Sequence, residues 1–270
     1  MTELTSWLSA GVDDTLPCSA RMYDYLLGGG HNFAVDREMI DKLLAVAPML
    51  GRLAMLNRAF VRRAVLTLVE SGIRQFLDIG SCIPTIGNVH EVAQQADPDS
   101  RVLYVDNDPA AVAHSEFALA GNDRATVIQA DLCDPGAVLD HPKTQQMLDF
   151  DAPVGLLMCK VVHLVADTDD PVKLLACYRE ALVPGSYLAL SHLNNDVKTG
   201  GMAAIVTLMK DSRSPIFPRT REAIADLFTG FELLEPGLVS TAEWRPRSRV
   251  DVGDGAAVTD PVLAGVGVRY

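Results

Sequence analysis

The chain has 270 residues, 49% of them hydrophobic and 21% charged, a globular balance with enough apolar material for one sizeable core. Its 23 Lys and Arg stand against 35 Asp and Glu, and the formal charge of -12 excludes a general binder of nucleic-acid phosphates, which needs a basic face. Cys18, Cys82, Cys133, Cys159 and Cys177 show no paired C-x-x-C spacing, so neither a disulfide framework nor a zinc site is expected. The N-terminus lacks a basic region followed by an apolar one, and Pro48 interrupts the longest apolar run, Leu43 to Leu50. A cytoplasmic chain with no membrane partner is the default expectation.

The first seventy residues carry no strand pattern. Helical periodicity is clearest over Met39 to Ala47 and Asn57 to Glu70, and residues 1–70 are expected to form a cap or lid on a core of residues 71–270. From Arg74 onward short apolar runs alternate with helical patterns, the form that βα units of a parallel sheet take. Strands are predicted at Phe76 to Gly80, Val102 to Asp106, Ala125 to Asp131, Val154 to Lys160, and after the Pro184-Gly185 turn to His192. Helices are predicted over Asn88 to Gln95, from Pro109, and over Asp170 to Leu182. Phe231 to Gly237 and Val262 to Tyr270 read as two further strands, and Arg245 to Asp260 as a long loop.

In open α/β sheets, ligands bind beyond the C-terminal strand ends. Asp78 stands at the first such end, where Gly80 lets a ligand approach the backbone. Asp106 at the second is placed to accept both hydroxyls of a ribose. Asp131 at the third can accept from the exocyclic amine of adenine, with Leu132 beside the ring. One such Asp often does no more than cap the next helix, but three at successive strand ends describe a nucleoside site. A dinucleotide needs G-x-G-x-x-G, whereas this loop has Cys82 and Thr85 at the second and third glycine positions, and no P-loop G-K-[ST] follows. The common adenosine ligand that remains is S-adenosylmethionine, whose sulfonium suits an acidic and aromatic surround. Between Gln95 and Asp170, 14 acids face 4 bases, so much of the negative charge gathers around these strand ends.

SARMYDYLLGGGHNFAVDRE, FLDIGSCIPTIGNVHEVAQ, VLYVDNDP, VVHLV and PGSYLALSH together resemble an actinobacterial family of S-adenosylmethionine-dependent methyltransferases, long labelled a domain of unknown function. The resemblance runs from Ser19 to Trp244. It implies an α/β, Rossmann-like class I sheet, mostly parallel with an antiparallel last strand, under an N-terminal helical lid. It also implies the cofactor, with Asp78 and Gly80 near the methionine part, Asp106 and Asn107 at the ribose and adenine edge, and Asp131 and Leu132 at the adenine. Arg21, Tyr23, Tyr25, Gly28 to Gly30, His31, Asn32 and Phe33 read as the lid, with tyrosines near the sulfonium and the glycines as hinge. Ordinary helix packing is the alternative for either tyrosine. Asn88, opening the next helix, completes the candidate cofactor contacts.

The resemblance implies two departures from the family pattern, most relatives having Gly where this chain has Cys82 and small apolar residues where it has Cys159-Lys160. Cys82 adds a side chain where the amino-acid end of the cofactor should pass. Lys160 either points into the cleft, where desolvation would make it a useful base, or snorkels to solvent or pairs with an acid such as Asp167. His163 is a second candidate base, and Cys159 has no readable activating partner. The expected reaction is methyl transfer to a small molecule in secondary metabolism, with Tyr23, Tyr25, Asn32, Lys160 or His163 orienting or deprotonating the acceptor. It needs neither metal nor PLP, and a homodimer is compatible with it. Two alternatives remain at this level: cyclisation of the cofactor with release of methylthioadenosine and a cyclic amino acid, and a non-catalytic cofactor binder.

Overall fold

The computed structural model describes residues 12–84, 87–196, 201–248 and 260–270. Helices α1 (Ser19–Leu26), α2 (Ala34–Val46) and α3 (Leu50–Glu70) precede β1 (Gln75–Ile79), α4 (Val89–Ala96), β2 (Arg101–Asp106), α5 (Pro109–Ala118) and β3 (Ala125–Gln129). Then come α6 (Pro135–Leu139), α7 (Pro142–Met147), β4 (Gly155–Cys159), α8 (Pro171–Glu180) and β5 (Tyr187–Leu193). The described chain ends with α9 (Met202–Met209), α10 (Arg221–Asp226), β6 (Phe231–Leu233), β7 (Val239–Ser240) and β8 (Val262–Arg269).

Helix starts follow local chemistry. Asp108 accepts the Ala110 amide at 2.9 Å ahead of Pro109, Asn88 and Glu91 form a capping box on α4, and Asp170 caps α8 from a left-handed φ of 47°. The strands form one sheet in the order β3-β2-β1-β4-β5-β8-β6, with β7 pairing β8. β1 to β5 are mutually parallel, and β8 is antiparallel to β5, β6 and β7. The order reverses between β1 and β4, which opens a crevice at their C-terminal ends.

Alternate residues of the strands face two cores. Leu77, Ile79, Leu103, Leu156 and Met158 pack with Leu174 and Tyr178 of α8 and Ile224 of α10. Phe76, Val102, Tyr104 and Leu157 pack with Phe60, Val65 and Leu68 of α3 and with the fully buried Trp244. Gly155 allows this approach, because a Cβ there would stand 2.8 Å from Leu68 and 2.9 Å from Phe76.

The expected boundary at residue 70 is therefore not a structural seam, since most of α3 belongs to the sheet's own core. The cap consists of α1 and α2 joined by α9, with Met22, Ile40, Leu43, Met209 and Ile216 packed together. Most of the expected Arg245 to Asp260 loop, residues 249–259, lies outside the described residues. Among the described residues, no helix is long and apolar enough to cross a membrane.

Candidate functional site

A cavity of about 430 Å³ lies where the cap meets the C-terminal strand ends. Its floor is polar, with Asp78, Gly80, Ser81, Cys82, Asp106 and Asn107. Its roof is apolar, with Leu43, Val46, Met49, Leu53, Met202 and Ile205.

Asp78 sits on β1 with its side chain buried, and among the described residues nothing hydrogen-bonds its carboxyl group. Burial pushes its pKa up to about 7; Arg58 works against that rise and Asp106 adds to it. Asp106, ending β2, accepts the Cys82 amide through Oδ2 at 2.8 Å and the Asp108 amide through Oδ1 at 2.9 Å. Burial raises its pKa to about 6 despite these bonds. Each oxygen keeps acceptor capacity, so the carboxylate both ties two loops together and faces the cavity. Neither Asp caps a helix; Asp108 does that beside Asp106.

Asp131 departs from expectation. β3 ends at Gln129, two residues early, and the exposed Asp131 turns away to accept the Cys133 amide at 2.8 Å. It does not line the cavity, whereas Ala130 and Leu132 do.

The lid motif is largely structural. Arg21 is fully buried and outside the cavity, with Nε 2.8 Å from Asp36 and Nη1 3.3 Å from Asp108. The Gly28 to Gly30 run wraps Asp24 and does not line the cavity: a Cβ on Gly29 would fall 1.9 Å from Asp24 Oδ1. Asp24 Oδ2 accepts the His31 amide at 2.8 Å and Asn32 Nδ2 at 2.9 Å. His31 lies against the His114 ring, 4.0 Å between centroids. Tyr25 packs with the cap core. Tyr25, His31 and Asn32 therefore stay outside the cavity, as does Asn88, whose capping side chain accepts Arg58 Nη2 at 3.2 Å. Tyr23 does line it, but its hydroxyl donates to Ala54 O at 3.0 Å and accepts from Asn57 Nδ2 at 3.1 Å, and burial pushes the phenol up. Both bonds fix the ring as part of the cavity wall.

Cys82 and Lys160 both hold left-handed φ values, 60° and 58°. That conformation costs a residue with a side chain about 1–2 kcal/mol. The Cys82 side chain packs beside Cys18, Ala20, Ile83 and Ala111, with Sγ 3.6 Å from Gly80 O. Lys160 points into the cavity with Nζ 5.2 Å from the Tyr23 ring centre. Asp167 does not pair with it, being held by Arg219 at 2.7 Å. Burial lowers the Lys160 pKa, with Cys82 and Asp260 opposing. His163 also lines the cavity, edge-on to His192 at 5.8 Å, and burial holds its pKa well below the usual value, helped by His192, Lys160 and Arg219. Arg219 donates to His192 Nε2 at 2.9 Å, so His192 keeps its proton on Nδ1, 2.8 Å from Leu193 O. Burial pushes the Cys159 thiol up, away from a reactive thiolate.

Sequence reasoning missed Asn57, Arg58 and Ser81. Asn57 Oδ1 accepts the Ser191 hydroxyl at 2.6 Å, and its place within the apolar stripe of α3 was the available signal. Ser81 Oγ is buried without a hydrogen bond among the described residues. The buried carboxyl of Asp78, without a hydrogen bond among the described residues, this hydroxyl, and the acceptor capacity of Asp106 fit a ligand with an ammonium group and ribose hydroxyls, which S-adenosylmethionine has. Among the described residues no group of three His, Cys, Asp or Glu is placed to hold a metal ion.

The sheet order, the crevice and this donor set define a class I S-adenosylmethionine-dependent methyltransferase. The chain belongs to the S-adenosyl methyltransferase family, whose model matches residues 5–269. It is similar to a protein of Thermobifida fusca YX assigned as a methyltransferase, with 38% identity over 98% of this chain and 99% of that chain and a TM-score of 0.91. A DUF574 family protein from Streptomyces avermitilis MA-4680 is 36% identical over 96% of this chain and 99% of that chain, with a TM-score of 0.91. The pyocyanin biosynthetic protein PhzM, 16% identical with a TM-score of 0.50 over 82% of this chain and 57% of that chain, shares the fold alone. No curated protein matches the chain. These findings support methyl transfer and lend nothing to cofactor cyclisation or to a non-catalytic binder.

Proposed function

We propose that the enzyme methylates a small molecule with an apolar body. The observation that carries this reading is one cavity with a polar floor at the strand ends and an apolar roof under the cap. S-adenosylmethionine bound on the floor supplies an electrophilic methyl group. Asp78 meets its ammonium group, Asp106 uses its remaining acceptor capacity on ribose hydroxyls, and Leu132 offers an apolar wall to the adenine. The roof excludes water and holds the acceptor against the floor. His163, kept neutral by burial, takes the acceptor's proton. The same reading keeps the enzyme in the cytoplasm and in secondary metabolism, without metal or PLP.

The test combines calorimetry with S-adenosylhomocysteine and a product assay with S-adenosylmethionine and a panel of apolar alcohols, phenols and amines. Saturable binding is expected, with S-adenosylhomocysteine formed only when an acceptor is present. His163→Asn should slow turnover about 10²-fold to 10⁴-fold and leave cofactor affinity within about twofold. Absence of binding overturns the reading. So does methylthioadenosine formed without an acceptor.

A further inference from the structure

We propose that Lys160 selects the acceptor, receiving a carboxylate carried on an apolar body, so that the substrates are apolar acids and not neutral alcohols. This rests on the methyltransferase reading above.

Lys160 is the first residue beyond β4, and its amide donates to Ser191 O at 2.9 Å while its φ is 58°. That backbone, uncommon for a residue with a side chain, sends the lysine off the sheet towards the cap, where its ammonium stands over the Tyr23 ring. It thus lies at the joint between polar floor and apolar roof. Among the described residues no hydrogen bond or ion pair reaches its Nζ, although it lines a largely apolar chamber. The other cations near the cavity are engaged. Arg58 donates to Asn88 Oδ1, and Arg219 is held by Asp167, Val162 O and Val165 O. The neighbouring acid Asp260 is also committed, accepting the Thr241 hydroxyl and, at 2.8 Å, the Val262 amide.

A desolvated ammonium with only a π face for company is incompletely compensated, and an anion entering the roof would complete it. The floor carboxylates Asp78 and Asp106 suit the cationic cofactor, and among the described residues the roof offers no acid. Charge complementarity therefore points to an acceptor with one anionic group near Lys160 and the rest of its surface apolar.

The experiment measures binding of 6-hydroxy-2-naphthoate and 2-naphthol, which share ring and hydroxyl and differ in the carboxylate, to protein saturated with S-adenosylhomocysteine. The acid should bind about 10-fold to 100-fold more tightly, as one charge-assisted hydrogen bond provides. Lys160→Met should remove the preference and Lys160→Arg should largely keep it, with S-adenosylhomocysteine affinity unchanged in both as the check on folding. Equal binding of the two compounds overturns the proposal, as does a preference that survives in Lys160→Met, or failure of both compounds to bind. Equal binding with turnover lost only in Lys160→Met would make Lys160 the proton acceptor. Failure of the wild-type protein to bind S-adenosylhomocysteine would instead overturn the methyltransferase reading.

Discussion

Lys160 carries its ammonium 5.2 Å from the centre of the Tyr23 ring, so one wall of the cavity is shared by a cap helix and the first residue beyond β4. The Tyr23 hydroxyl faces away from that chemistry, bound to Ala54 O and Asn57. Tyr23→Phe should therefore lower stability by about 1 kcal/mol, a loss of about 2–4 °C in melting temperature, with turnover within about threefold of wild type. Thermal melting and steady-state rates check this. A collapse of turnover with normal melting would show the hydroxyl acting on the acceptor.

Asp78 and Asp106 make stability and cofactor binding depend on pH in opposite directions. Their folded pKa values, about 7 and about 6, lie above the ordinary 3.8, so between pH 4 and 7 the folded state holds more protons than the unfolded one. Stability of the ligand-free protein should fall as pH rises through this window. Affinity for S-adenosylhomocysteine should rise over its upper part, because the ionised Asp78 is the form that meets an ammonium. Asp78→Asn should flatten both trends and weaken binding about tenfold or more; calorimetry and melting at pH 5.5 to 8 measure this. An unchanged affinity profile in the variant would remove Asp78 from the cofactor site.

Cys82→Gly tests whether the cysteine hinders the cofactor. Glycine relieves a left-handed backbone by about 1 kcal/mol but gives up side-chain packing on Ile83 and Ala111 and gains unfolded-state entropy. The effects nearly cancel, so stability should stay within about 1 kcal/mol, with cofactor affinity equal or somewhat tighter. Denaturant titration and calorimetry decide it, and a tenfold loss of affinity would show that Cys82 contributes to binding.

Arg21→Met should act on stability and not on chemistry. It leaves Asp36 and Asp108 buried without their shared cation, a loss of about 3–5 kcal/mol. Melting should fall by about 10 °C, and turnover measured well below the new midpoint should remain within a few-fold. Normal melting with lost cofactor binding would place Arg21 in the site after all.

The parallel strands were legible because each is a short apolar run bounded by turn chemistry, and five such strands fall within a few residues of expectation. That Asp78 and Asp106 line the cavity followed from the strand ends. Asp131 did not, because a strand ending two residues early rotates the next side chain away, and periodicity does not resolve that end. Tyr25, His31 and Asn32 lie outside the cavity for another reason: Tyr25 packs in the cap core, and glycines and amides close together suit a part-buried hydrogen-bond knot around Asp24 as well as a ligand. The roof was not legible at all. Its residues come from α2, α3 and α9, far apart in the chain, and each reads locally as ordinary core.

The buried arginine has a further consequence. Asp36 of α2, Arg21 of α1, Asp108 and Asp106 form a continuous series that ends at the Cys82 amide in the loop after β1. The cap and the cofactor loop are thus mechanically one piece on this side. The loop after β1 and the cap helices α1 and α2 are therefore joined through one buried run of ion pairs and hydrogen bonds, and a substitution at Asp108 would sever both halves of it at once.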